Sequence, residues 1–188
     1  MDRQKALELL ESYNKTASLR SHALCVEAAM RHFARYYGED ENYWGIVGLL
    51  HDLDYEMFPE EHGKKSAEIL CGNGYDEDFV HAVTSHGWGI CSDAEPTHKM
   101  EKALYAVDEL CGLITASVYM RPSKSVLDLE LSSLKKKFKD KGFAAGVNRE
   151  LVRNGAAMMG LELDELMRQT ILGLRAEAAA IGLAGTLG

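Results

Sequence analysis

Apolar residues recur at three- and four-residue spacing along most of the chain, the period of one helix face. Ala6, Leu7, Leu9, Leu10 and Tyr13 predict a short amphipathic helix. Ala23, Val26, Ala29, Met30 and Phe33 predict a longer one, from an N-cap at Ser18 to about Tyr37, closed by Gly38. Asn42 is the expected cap of a third helix over Tyr43 to about Tyr55, and Pro59 marks a turn. Lys64 to Leu70 reads as helical and stops at Gly72-Asn73-Gly74. Asp76 opens a short helix through Val80 and Val83, followed by a loop flagged by Gly87-Trp88-Gly89 and Glu95-Pro96. Met100 to Tyr119 reads as one long helix, largely apolar on one side. Beyond the break at Arg121-Pro122-Ser123 come a basic helix around 125–138, a connector near 142–146, and helices near 148–159 and 163–182. Ala184 to Gly188 reads as a frayed tail. No alternating pattern of strand length is present, so the expected fold class is all-α. The 188 residues suit one domain over 1–188, with a core over about 18–120 and a helical extension over about 121–183.

Charge narrows the functional classes. Lys plus Arg total 21 and Asp plus Glu 29, a net charge of −8. That balance argues against a general nucleic-acid coat, which needs a basic face. It leaves room for a small anionic substrate, because a bound cation dominates its local field. The longest apolar runs, Ile46 to Leu50 and Leu110 to Val118, are too short to span a bilayer. The opening Met1-Asp2-Arg3-Gln4-Lys5 lacks a signal-peptide pattern, so the expectation is a cytoplasmic protein with no membrane partner. Four cysteines without a Cys-x-x-Cys pair argue against a zinc knuckle and for reduced thiols, with Cys25 and Cys111 packed as small hydrophobes. Tyr36, Tyr37, Trp44 and Trp88 suit either a core or an interface, which leaves a homo-oligomer open.

Polar residues that interrupt apolar helices carry the candidate chemistry. His51-Asp52 ends the run Ile46-Val47-Gly48-Leu49-Leu50, and Asp108 breaks Leu104-Tyr105-Ala106-Val107 from Leu110. His22 shares its helix with the inward-facing Val26 and Ala29. A buried charge is costly unless something pairs it. Taken singly, each residue reads as a satisfied helix histidine or carboxylate. Taken together, a metal accounts for all four, since imidazole and carboxylate suit Fe, Mn, Co, Ni or Zn. Helices facing one another are a common source of such ligands.

The ordered set His22, Gly48-Leu49-Leu50-His51-Asp52 and Ala106-Val107-Asp108 resembles the H…HD…D signature of the HD superfamily of metal-dependent phosphohydrolases. The resemblance spans about residues 18–120, with 29 residues from His22 to His51 and 56 from Asp52 to Asp108. It implies an HD-domain helical bundle with additional C-terminal helices, and a metal held by His22, His51, Asp52 and Asp108. His62-Gly63-Lys64-Lys65-Ser66-Ala67 and Val83-Thr84-Ser85-His86-Gly87 resemble the segments that serve a second ion in two-metal HD enzymes. They imply His62 and His86 as further ligands, with Asp52 bridging. The layout is also similar to symmetrical diadenosine tetraphosphate hydrolases, although the 11 residues from His51 to His62 are fewer than in that family.

The resemblance implies hydrolysis of a phosphate ester or anhydride, on a nucleotide or related small phosphorylated compound. One or two divalent ions are implied, two being favoured, with His51 and Asp52 as catalytic residues. A divalent ion brings the pKa of its water toward about 7, which supplies hydroxide at neutral pH. Lys64, Lys65, Arg20 and Arg121 are the candidate cations for substrate phosphate. The run Lys135, Lys136, Lys137, Lys139, Lys141 reads as a solvated face. Asp54 and Glu56 are candidates for the extra acid or base that a one-metal site needs, but read first as solvated helix-end carboxylates; His32 reads as structural or exposed, and His98 as a helix start or surface residue. Two other activities fit the same scaffold: a di-iron oxygenase, and a non-catalytic, metal-stabilised regulatory module.

Overall fold

Asp40 starts the helix that leads into the polar cluster. Its carboxylate accepts the backbone N–H groups of Asn42 and Tyr43, and Trp44 to Leu50 behind it are all buried. This computed structural model describes residues 1–186. Nine α-helices occur among the described residues, with no strand. They are α1 (Arg3–Tyr13), α2 (Ala17–Tyr37), α3 (Glu41–Leu50), α4 (Lys64–Gly72), α5 (Glu77–Thr84), α6 (Lys99–Tyr119), α7 (Leu131–Lys139), α8 (Arg149–Met158) and α9 (Leu163–Ala176). The all-α expectation holds. No helix among the described residues is long and apolar enough to cross a membrane.

The core sits between α2, α3 and α6, with Val26, Met30, Phe33, Leu49, Leu50, Leu104, Leu110 and Leu113 fully buried. α2 and α3 cross closely at Gly48, where an added Cβ would lie 2.8 Å from Met30 Cγ and 3.0 Å from the Val26 carbonyl oxygen. Only glycine permits that approach, and it brings the end of α3 toward His22 on α2. α6 is started by His98, whose ring accepts the Met100 N–H while Glu101 reaches back to the His98 N–H. This reciprocal cap fixes the start of the helix that carries Asp108.

The C-terminal helices cover the other side of α6. Gly155 of α8 meets Ala106 so closely that an added Cβ would lie 2.5 Å from Ala106 Cβ and 2.7 Å from its Cα. Gly155→Ala is therefore expected to destabilise the fold by about 1–3 kcal/mol, despite alanine's better helix propensity. Thermal unfolding checks this, and an unchanged or raised Tm would refute the tight crossing. The Arg149 side chain ties down the segment before α8 by donating to the carbonyls of Phe138, Asp140, Phe143 and Val147. α9 packs against α2, where His32 Nε2 lies 2.7 Å from Gln169 Oε1.

Several boundaries differ from the sequence pattern. α3 is capped by Asp40 instead of Asn42 and ends at Leu50, not Tyr55. Residues beyond it wind through successive tight turns, with Leu53 N–H to Leu50 O and Tyr55 N–H to Asp52 O. α2 begins after Thr16, α7 only at Leu131, and α9 ends at Ala176. The tail is tied down as far as Thr186, whose N–H donates to the Ser123 carbonyl at 3.0 Å. Leu187 and Gly188 of the expected frayed tail lie outside the described residues.

Candidate metal centre

Six side chains from five separate segments converge where α3 ends. His22 comes from α2, His51 and Asp52 from the turn after α3, and His62 from just before α4. His86 lies in a single 3₁₀ turn after α5, and Asp108 in the middle of α6. They form two groups that share Asp52: His22, His51, Asp52 and Asp108, and then Asp52, His62 and His86. Within each group the nearest ligand atoms all lie within 4.8 Å of one another.

Asp52 divides its two oxygens between these groups. Oδ2 faces His51 Nε2 at 3.2 Å and His22 Nε2 at 3.8 Å. Oδ1 faces His86 Nε2 at 3.4 Å and His62 Nε2 at 3.5 Å. Asp108 Oδ1 closes the first group, 2.9 Å from His22 Nε2 and 3.4 Å from His51 Nε2.

Three of the four histidines are oriented by a bond to their other ring nitrogen. His51 Nδ1–H donates to the Gly48 carbonyl at 2.8 Å, and His86 Nδ1–H to the Val83 carbonyl at 2.6 Å. His62 Nδ1–H donates to Asp54 Oδ1 at 2.7 Å. Each bond places the proton on Nδ1 and aims the Nε2 lone pair inward, the arrangement of a histidine prepared to bind metal.

The arrangement fits an ion on two further counts. His51 Nε2 is fully buried and has no hydrogen-bond partner. His62 Nε2 and His86 Nε2 face one another at 3.1 Å, and two lone pairs repel at that distance unless a cation or a proton lies between them. The charges agree. Burial alone would raise the Asp52 carboxyl, but His51 and then His86 outweigh it and hold it well below the usual range. Burial opposes ionisation of Asp108 in the same way, and His51 and His22 hold it low. Burial disfavours the His51 cation, yet Asp52 and Asp108 push its pKa well up.

Asp54 departs from the environment that the sequence pattern favoured for it. It is fully buried, not a solvated helix-end carboxylate. Oδ1 accepts from His62, and Oδ2 accepts the Ser66 N–H at 2.7 Å. Burial raises its pKa, but His62 and the Ser66 N–H prevail and hold it low. Its spacing, two residues past Asp52 and eight before His62, is the signal that could have found it. Glu56 is half-buried, and it accepts the N–H groups of Lys15 and Thr16 and so ties this turn to the start of α2. The buried Asn14 adds a second tie, Nδ2 donating to the Leu53 carbonyl at 3.0 Å.

A family model of the HD domain matches residues 19–111, a segment that contains all six converging side chains. The chain is an HD-domain protein. No curated protein and no solved structure matches it. HD domains are generally metal-dependent phosphohydrolases, and this HD-domain protein has His/Asp groups able to hold a metal.

A cavity of about 400 Å³ opens over the two groups. Beside His22, Asp52, His62, His86 and Asp108, its lining includes Tyr55, Ile90, Cys91, Glu109, Gly112 and Leu151. His51 lies beneath this floor. The four cations picked from the sequence are not in that lining. Lys64 is largely exposed, Lys65 bonds Glu68 at 2.6 Å, and Arg121 bonds Asp128 at 2.9 Å. Arg20 is half-buried on α2 outside the cavity wall. Glu109 was not singled out from the sequence, because it reads as an ordinary helix carboxylate beside Asp108. Burial pushes its pKa up, against the Asn148 N–H that donates to Oε2 at 3.0 Å, and Asp108 adds to the rise.

Proposed function

We propose that this HD-domain protein is a phosphohydrolase with a two-ion centre, acting on a small phosphorylated compound of the nucleotide class. The observation that carries the reading is the division of Asp52 between two histidine groups, one oxygen to each. His22, His51, Asp52 and Asp108 would hold one divalent ion of the Fe, Mn, Co, Ni or Zn series, and Asp52, His62 and His86 a second. Bound ions supply an activated water at neutral pH and take up charge on the phosphoryl oxygens.

The protein's own side chains do the positioning. Asp52 sets the spacing between the two groups and, at the cavity floor, can orient the attacking water. Gly48, Val83 and Asp54 hold His51, His86 and His62 with their Nε2 atoms inward. Ile90, itself exposed, and Leu151 add apolar surface to the cavity lining.

Metal analysis joined to an activity screen tests the reading. Protein reconstituted with Mn(II) or Fe(II) is expected to hold close to two ions per chain and to release phosphate from a nucleotide panel, with both lost on chelation. One ion per chain would remove the second group from the site. Oxygen consumption by the iron form without phosphate release would replace hydrolysis by oxygenase chemistry. Two retained ions with neither activity would leave a metal-stabilised binding module.

A further inference from the structure

The walls of the cavity differ in chemistry from its floor. Above the metal groups the lining is apolar at Ile90 and Leu151, aromatic at Tyr55, and acidic at Glu109. Glu109 is held in place, since Oε2 accepts the Asn148 N–H, and the residue lines the cavity. Arg20, Lys64, Lys65 and Arg121 are absent from this lining, and Lys65 is engaged with Glu68 and Glu61 and Arg121 with Asp128. Among the described residues no lysine or arginine lines this cavity, so positive charge within it would come from ions held on its floor.

We propose that the cavity selects a phosphate monoester, with one phosphoryl group on the floor and an uncharged organic part bearing a hydroxyl or amino donor against Glu109, and that it discriminates against di-, tri- and tetraphosphates. The inference rests on the phosphohydrolase reading and deepens it. A single phosphoryl group meets its whole charge requirement at the floor. Each further phosphoryl group adds negative charge higher in the cavity, where it faces Glu109, Ile90 and Leu151 instead of a lysine or arginine. Desolvating an unpaired anion against such a wall is costly, and like charges add to that cost. An uncharged body gains there instead, through apolar and aromatic contact with Tyr55 and Leu151 and one hydrogen bond to Glu109. The volume of about 400 Å³ lies in the usual range of small-molecule pockets, about 300–1,000 Å³. Part of this wall belongs to α8. Leu151 and the Asn148 N–H that holds Glu109 both lie beyond the family match at 19–111. The extension thus adds to a wall that Tyr55, Ile90 and Glu109 of the matched segment begin.

The test compares Mn(II)-loaded protein on adenosine 5′-monophosphate, adenosine triphosphate and diadenosine tetraphosphate, by kcat/KM and by calorimetric binding. The monophosphate is expected to be favoured at least about 10-fold in both readouts. Glu109→Lys places a cation on the wall and is expected to cut that ratio by about 10-fold or reverse it. Leu151→Lys does the same without disturbing the Asn148 bond, and serves if Glu109→Lys does not fold. Equal or better use of the polyphosphates by the unaltered protein would overturn the inference while leaving the phosphohydrolase reading intact. A ratio unmoved by both folded lysine variants would also overturn it. Failure of the metal-loaded protein to bind or cleave all three compounds would instead remove the phosphohydrolase reading on which the inference stands.

Discussion

Asp52→Ala is expected to abolish retention of both ions and to lower phosphate release by at least about 10³-fold, or roughly 4 kcal/mol of transition-state stabilisation. Asp52 is the one residue common to both groups, and each of its oxygens has a separate set of imidazole neighbours. No neighbouring carboxylate can take its place. Asp108 faces only the first group, and Asp54 is turned away, bonded to His62 Nδ1 and the Ser66 N–H. The contrast is Asp108→Ala, which removes a ligand from the first group and leaves Asp52, His62 and His86 in place. Elemental analysis of the two purified variants, with circular dichroism as a check on folding, separates the cases. Metal content in folded Asp52→Ala equal to that of the unaltered protein would refute the shared-ligand arrangement.

The second large effect is expected at Asp54, which touches no ion in this scheme. Asp54→Ala strands the His62 Nδ1–H and the buried Ser66 N–H together, and is expected to cost about 2–4 kcal/mol of stability. Asp54→Asn is the more informative change. It keeps the shape, but one carbonyl oxygen cannot accept from both donors, and the amide NH₂ then faces one of them. His62 loses the anchor that sets its tautomer, so affinity for the second ion is expected to fall about 10- to 100-fold. The first group, which lacks His62, is expected to keep its ion. A metal titration resolving two binding events reads this directly. Equal weakening of both events, or of neither, would mean that Asp54 acts on the fold alone.

Much of the candidate site was legible because the chain breaks its own apolar pattern there. His51-Asp52 and Asp108 each interrupt a helix that is otherwise core, and the structure brings them together with His22. His98 was legible as a helix start for the same kind of local reason, and it caps α6. Asp54 was not legible. The pattern predicts a helix running to Tyr55, on which Asp54 is a polar end residue. The chain instead leaves the helix after Leu50, and the tight turns that follow rotate Asp54 inward beneath His62. Periodicity cannot foresee such a rotation, because it comes from tertiary ties such as Asn14 to the Leu53 carbonyl and Glu56 to the start of α2. The basic residues misled for a related reason. Lysine and arginine side chains are long: Lys65 turns along its own helix to Glu68, three residues on, and Arg121 meets Asp128 only once the intervening turns are in place. The wall from α8 was invisible for a third reason, since it depends on the close crossing of Gly155 and Ala106.

The 2.9 Å contact between His22 and Asp108 closes a loop of 86 residues. Such a closure has an entropic cost that grows only as the logarithm of loop length. An ion gripped at both ends of that loop binds the native chain and has no comparable site in the unfolded one. Its concentration then shifts the folding equilibrium itself, by about 2.7 kcal/mol at one hundred times its dissociation constant. A change of that size alters how often the chain opens to proteases and therefore how much of it persists. Metal supply would on this account govern the abundance of the protein as well as its turnover number, and starvation for the ion would first be seen as a falling level of the chain.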